Sequence, residues 1–159
     1  MNNRMSEIEI IKLLSKLSDE WGVDKIPVEF SGRLKNTLGR IHWNGITKKA
    51  SKFVFSKNHI RNSDRDVVEN TVRHEFAHLL DLTLRGTTDH TPEWQKCALA
   101  VNADPVPTLH ITNPDFYKVV ILCKDCGKIH YRGHRRTEKV MYYAMFGTCD
   151  VCGSKLKVK

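Results

Sequence analysis

The segment "VRHEFAHLLDLTLRGTTDHTPEWQ", residues 72–95, decides how the chain is read. His74 and His78 stand four residues apart, with Glu75 directly after the first, inside an otherwise apolar helical pattern. Placed at 100° intervals, Val68, Val72, Phe76, Leu79 and Thr83 fall within about 80° of one another. The two histidines lie roughly opposite that stripe, about 40° apart, so both imidazoles can reach one ion. Glu75 falls between the two faces, where it can reach a water on that ion without being a ligand.

The chemistry accounts for the spacing. Two neutral imidazoles one helical turn apart anchor Zn²⁺, and a third protein ligand leaves the fourth position for water. The ion lowers the pKa of that water to about 7, and a glutamate takes its proton as it attacks a carbonyl. This is the H-E-x-x-H arrangement of metalloproteases, which chance would place in a chain of this composition roughly one time in fifty. His74 and His78 are thus expected zinc ligands and Glu75 the expected catalytic base.

Three residues compete as the third ligand. A metzincin would need glycine where Asp81 stands and histidine or aspartate where Leu84 stands, so that class is excluded. His90 follows the helix stop at Gly86, and a cap at Thr91 would fix it at the mouth of the next helix, facing back over the histidines. Asp89, after a Gly-Thr pair, would make an aspzincin-like site, and Glu93 a gluzincin-like one. His90 is the favoured choice. Asp81 reads as a carboxylate orienting a histidine, or as a solvated helix residue.

A second metal signal lies near the C-terminus. Cys123 and Cys126 in "CKDCG", and Cys149 and Cys152 in "CDVCG", form two C-x-x-C pairs separated by 22 residues. Each pair is followed by a glycine that permits the tight turn of a zinc knuckle. Four thiolates close a tetrahedral site, which is structural rather than catalytic. Two Zn²⁺ per chain are therefore expected, one catalytic and one structural. Cys97 stands alone and reads as a space-filling helix residue.

Charge is distributed unevenly. Residues 1–117 hold 16 basic and 15 acidic side chains, a difference of +1, whereas residues 118–159 hold 10 and 3, a difference of +7. A neutral body with a basic tail suggests contact with a polyanion. Between the cysteine pairs, Lys128, Arg132, Arg135 and Arg136 offer phosphate contacts. Tyr131, Tyr142 and Tyr143 offer stacking faces for unpaired bases, with at least one tyrosine expected to pack the ribbon itself. His130 and His134 read as surface or packing residues. No apolar run approaches the roughly 18 residues of a membrane span, and the acids within "MNNRMSEIEIIKLL" argue against an export signal, leaving the cytoplasm as the expected location.

The remaining pattern describes an α+β protein. Ser6 and Glu9 form a capping-box signature, followed by Ile8, Ile11, Leu14, Leu17 and Trp21 at helical spacing and a stop at Gly22. "IPVEF", "LGRIHWN" and "KFVFS" predict three strands of a small antiparallel sheet. Ser63 with Asp66 predicts the start of the histidine helix, and Thr91-Pro92 the start of another that runs to about Val101. Residues 1–104 form the expected core, the Pro-containing 105–116 a linker, and 117–159 a four-cysteine ribbon opened by the strand "FYKVVILC".

Together, "LGRIHW", "HEFAH", "HTPEW" and a terminal ribbon with "GHRR" between its cysteine pairs resemble the SprT-like family of zinc metalloproteases. That family includes the Spartan DNA–protein crosslink proteases, and the match covers most of the chain. The resemblance implies His74, His78 and His90 as ligands with Glu75 as general base, Thr91 standing where glycine is usual. It also implies a minigluzincin-like core that lays substrate along an edge strand, for which "KFVFS" is the candidate. A chain ending just after its ribbon is more similar to bacterial or phage members than to Spartan proper.

The expected function is a zinc endopeptidase acting on DNA-associated proteins, as a monomer, with single-stranded DNA or DNA of single-stranded character as partner and with no membrane contact. The alternative is a weakly active or non-proteolytic nucleic-acid-binding zinc protein of regulatory role, which would have no need of Glu75. A zinc-ribbon component of a transcription or replication assembly would explain the tail and ignore the helix. For the oxyanion, Arg73, Arg85, His42 and Tyr117 are the residues available besides zinc.

Overall fold

The computed structural model describes residues 3–35, 37–105 and 117–159. Its chain divides into two compact units, Met1–Asn113 and Pro114–Lys159. Residues 106–116, most of the expected linker, lie outside the described residues.

The first unit opens with α1 (Glu7–Trp21). Glu9 N donates to Ser6 Oγ at 3.2 Å while Ser6 N donates to Glu9 Oε2 at 2.8 Å, so the capping box forms as expected. Gly22 ends the helix in the left-handed conformation. The buried face differs from the predicted stripe: Ile10, Leu14 and Leu17 point inward, and Ile8, Ile11 and Trp21 stay exposed. The helix rests mainly on one neighbour, so only a narrow strip of its surface is covered.

β1 (Val28–Ser31), β2 (Gly39–Trp43) and β3 (Ala50–Ser56) form one sheet in the order β1-β3-β2. β3 runs antiparallel to β2 but parallel to β1, so the sheet is mixed rather than antiparallel. "KFVFS" is therefore the central strand, and the edges are β1 and β2. The physical reason is visible in Phe53, Val54 and Phe55, all buried. An unbroken apolar run suits a strand covered on both faces and paired on both sides.

A short helix, α2 (Lys57–Asn62), follows β3 directly and has no counterpart in the predicted elements. His59 N donates to Ser56 Oγ at 3.2 Å, and the His59 ring is buried between Ser63 Oγ at 2.8 Å and Thr71 Oγ1 at 2.9 Å. α3 (Arg65–Arg85) then begins at Asp64 rather than Ser63, which instead ends α2. Its stop at Gly86 is as expected, with φ at 71° and Gly86 N donating to Leu82 O. Both faces of α3 are covered along its middle, although Thr83 of the predicted stripe is exposed. α4 (Pro92–Ala100) packs against it, started by Thr91 and Pro92 as the sequence indicates.

In the second unit, β4 (Val119–Cys123), β5 (Ile129–Gly133) and β6 (Leu156–Val158) form an antiparallel sheet ordered β5-β4-β6. An unpredicted helix, α5 (Glu138–Phe146), lies between the cysteine pairs, capped by Thr137 Oγ1 accepting from Val140 N. Among the described residues no helix is long and apolar enough to cross a membrane.

Candidate metal centres

His74 and His78 project from one face of α3, and His90 arrives on the loop before α4. The His90 Nε2 lies 3.2 Å from that of His78 and 3.3 Å from that of His74. Four ligands at the usual Zn–N length of 2.0–2.1 Å stand about 3.3 Å apart at tetrahedral angles, so this spacing fits one ion. Asp89 and Glu93 do not join the cluster: the Asp89 carboxylate accepts from the His90 backbone N–H, and the metal-ready group comprises the three histidines.

The Trp94 indole, fully buried, supports all three rings, with centroids 4.7, 5.0 and 4.7 Å from those of His74, His78 and His90. Burial pushes the His74 imidazole down to about 4 and that of His78 down to about 3. Both are thus neutral at pH 7, with a lone pair free for a cation. The His78 Nδ1 faces Thr88 Oγ1 at 2.7 Å, whereas the His74 Nδ1 is buried without a hydrogen-bond partner among the described residues.

Glu75 lies outside the ligand set, its Oε1 4.0 Å from His74 Nε2. Burial pushes its carboxyl up to about 8, opposed by a backbone hydrogen bond from Ile41 in β2. A cation among the three histidines would draw it back down. β2 can come this close because residue 39 is glycine: a Cβ there would sit 2.8 Å from the Phe55 ring and 3.2 Å from Glu75 Cγ. Sequence reasoning missed Gly39, although an isolated glycine within a strand pattern marks such an approach.

Asp81 is not solvated, and its bonds run to an arginine rather than directly to a histidine. It is buried and accepts two bonds from Arg85, at 2.6 and 2.7 Å. Arg73 is likewise engaged, with Glu69 and with the Val101 carbonyl. Neither arginine is free to meet an oxyanion.

In the second unit, Cys123 and Cys152 Sγ stand 3.4 Å apart, and Cys126 and Cys149 Sγ 3.6 Å. A tetrahedral site with Zn–S bonds of 2.3 Å has edges of about 3.8 Å, so the four cysteines also fit one ion. Hydrogen bonds from Ser154 hold the Cys152 thiol down, to about 6.

The residues expected to contact nucleic acid differ in their surroundings. Lys128 Nζ is paired with Asp150 at 2.7 Å on the surface, and Tyr131, half-buried, packs against the ribbon core. Arg132 lies over the Tyr117 ring at 5.9 Å, while Arg135 and Arg136 are exposed. Tyr142, Tyr143 and Phe146 on α5 are exposed as well.

A search of curated proteins finds no match to the chain. The sequence profile of the SprT-like family matches residues 9–114, a span that contains all three histidines, Glu75 and Trp94 and ends before the two C-x-x-C pairs. With the helix-borne histidines, the later histidine and the buried glutamate in one place, the chain belongs to the SprT-like family, a family of metalloprotease type.

Proposed function

We propose that the chain is a zinc-dependent endopeptidase that hydrolyses peptide bonds of DNA-associated proteins, including DNA-crosslinked ones, with its basic ribbon as the DNA contact. It would act as a cytoplasmic monomer on a minigluzincin-like core. The observation that carries this reading is the convergence of three imidazole nitrogens beside a buried carboxyl group that is not one of them.

His74, His78 and His90 would hold the catalytic zinc, and the four cysteines a structural one. The bound ion supplies a Lewis acid, one open position and a water of lowered pKa. Glu75 takes the proton of the attacking water and later passes it to the leaving amine nitrogen. Its ionised form, opposed by burial, is favoured by the cation beside it. The substrate strand adds to the outer edge of β2, whose Ile41 backbone reaches Glu75 and whose Gly39 abuts it.

DNA would meet the ribbon through Arg135, Arg136 and Arg132. Four thiolates on Zn²⁺ carry −2, so the surplus of +7 in residues 118–159 falls to +5, still enough to draw a polyanion.

The test is cleavage of a basic DNA-binding protein, with and without single-stranded DNA, by the wild type and by zinc-loaded Glu75→Gln. Cleavage that DNA stimulates and the substitution abolishes is expected. Absence of cleavage, with salt-sensitive DNA binding by both proteins, would replace this reading with the non-proteolytic nucleic-acid-binding one.

A further inference from the structure

His74 and His78 are delivered by a buried helix, but His90 is exposed and sits on the loop of residues 86–91. A ligand on an untethered loop would lose conformational freedom whenever it bound a metal, weakening the site. Here the loop is tied to α3 at two points, each through a threonine hydroxyl.

The first tie is Thr88 Oγ1 at 2.7 Å from His78 Nδ1. If Nδ1–H donates to this oxygen, Nε2 keeps its lone pair and faces the other two histidines. The second tie begins at Asp81, whose buried carboxylate holds the Arg85 guanidinium in a two-bond fork. Arg85 Nη2 then donates to Thr91 Oγ1 at 3.1 Å. The same oxygen accepts from Trp94 N at 3.4 Å, which places the first turn of α4, and with it the indole beneath the three rings. Thr91 directly follows His90, so this chain of bonds sets the backbone from which His90 is presented.

We propose that Thr88 and Thr91 are positioning residues for the three-histidine centre: Thr88 sets the tautomer and ring orientation of His78, and Thr91, anchored by Asp81 and Arg85, fixes His90. This rests on the reading that the three histidines bind a metal. The hydroxyls act before any substrate arrives, so their effect is on metal affinity.

The experiment is competition for zinc between a chelator and the full-length protein, comparing wild type, Thr88→Val, Thr88→Ser, Thr91→Val and Thr91→Ser. The four-cysteine site serves as internal reference, and cobalt(II) loading distinguishes the nitrogen site from the thiolate site by its visible spectrum. Loss of a group that orients a ligand typically weakens metal binding about 10–100-fold. Both valine variants are expected to lose about that much at the three-histidine site alone, and both serine variants to regain most of it. Valine variants that bind zinc like the wild type, or that lower the unfolding temperature without weakening binding, would overturn the proposal. Serine variants that fail as badly as valine would do the same. A wild-type protein that holds metal only at its cysteines would instead overturn the underlying reading of the histidines.

Discussion

Around the three histidines, the described residues include a cluster of nineteen buried apolar side chains drawn from α1, β3, α2, α3 and α4 and adjoining segments. The cluster of the cysteine unit contains five, and two of these, Cys123 and Cys149, are themselves expected ligands. The first unit can hold its site in shape without an ion. The second has far less apolar surface, and in the proposed reading its fold would rest on the metal held by its four cysteines. A catalytic metal needs ligands placed in advance, and a structural one can do the placing.

The largest expected effect separates the two directly. Strong chelation, or Cys149→Ser, should unfold the ribbon unit and leave the first unit folded, since structural zinc contributes about 10–16 kcal/mol in small metal-dependent modules. Limited proteolysis confined to residues 114–159, or loss of those residues' dispersed amide resonances, is the readout. A metal-free ribbon that stays folded would break the comparison.

Next in size is Glu75→Gln, expected to lower cleavage about 10²–10⁴-fold, the usual contribution of a positioned base. Metal content and unfolding temperature should stay close to the wild type, as measured by elemental analysis and calorimetry. A variant that loses its zinc as well would show that Glu75 supports the site rather than the chemistry.

The first unit should also carry an acid sensitivity of its own. Burial pushes His59 down from 6.5 to about 4, so the unfolded chain takes up the proton first as pH falls. Stability fully present above pH 6.5 is lost as pH drops towards 4. The loss amounts to roughly 3 kcal/mol, because each tenfold difference in proton affinity between the folded and unfolded chain is worth about 1.4 kcal/mol. Urea unfolding at pH 7 and pH 5 should show about 2 kcal/mol of this loss in the wild type that is absent in His59→Gln. Equal pH dependence in both proteins would remove His59 from the account.

The smallest effect tests how tightly β2 is held against the site. Gly39→Ala places a methyl against Phe55 and Glu75, and overpacking of this kind costs about 1–3 kcal/mol. Thermal unfolding and residual cleavage measure it. Activity that falls while stability is unchanged would show that the close approach serves the position of Glu75 alone.

Much of this arrangement is legible in local pattern. The spacing of His74 and His78 puts both on one helical face by geometry alone, and Ser6, Thr91 and Gly86 mark helix ends because capping involves only the next few residues. Other features resist such reading because they depend on neighbours distant in the chain. "KFVFS" reads as an edge until its partners are known, and β1 pairs on its far side by a crossover. Only the folded ribbon shows Tyr131 half-buried against its core, and only the fold brings Asp150, 22 residues away, to pair with Lys128 at the surface.

What the amino-acid sequence by itself determined is the chemistry: two histidines and a glutamate one turn apart, a third histidine before a capped helix, and four cysteines in two knuckles. These follow from backbone periodicity and ligand preference, which act over a few residues. Tertiary structure alone decided the burial of both faces of α3, the approach of Gly39 to Glu75 and the Trp94 floor under three imidazoles. It also decided the ties from Thr88 and Thr91 to α3. Each of these joins side chains from different elements or from a loop folded back on its helix, and only packing brings such groups together.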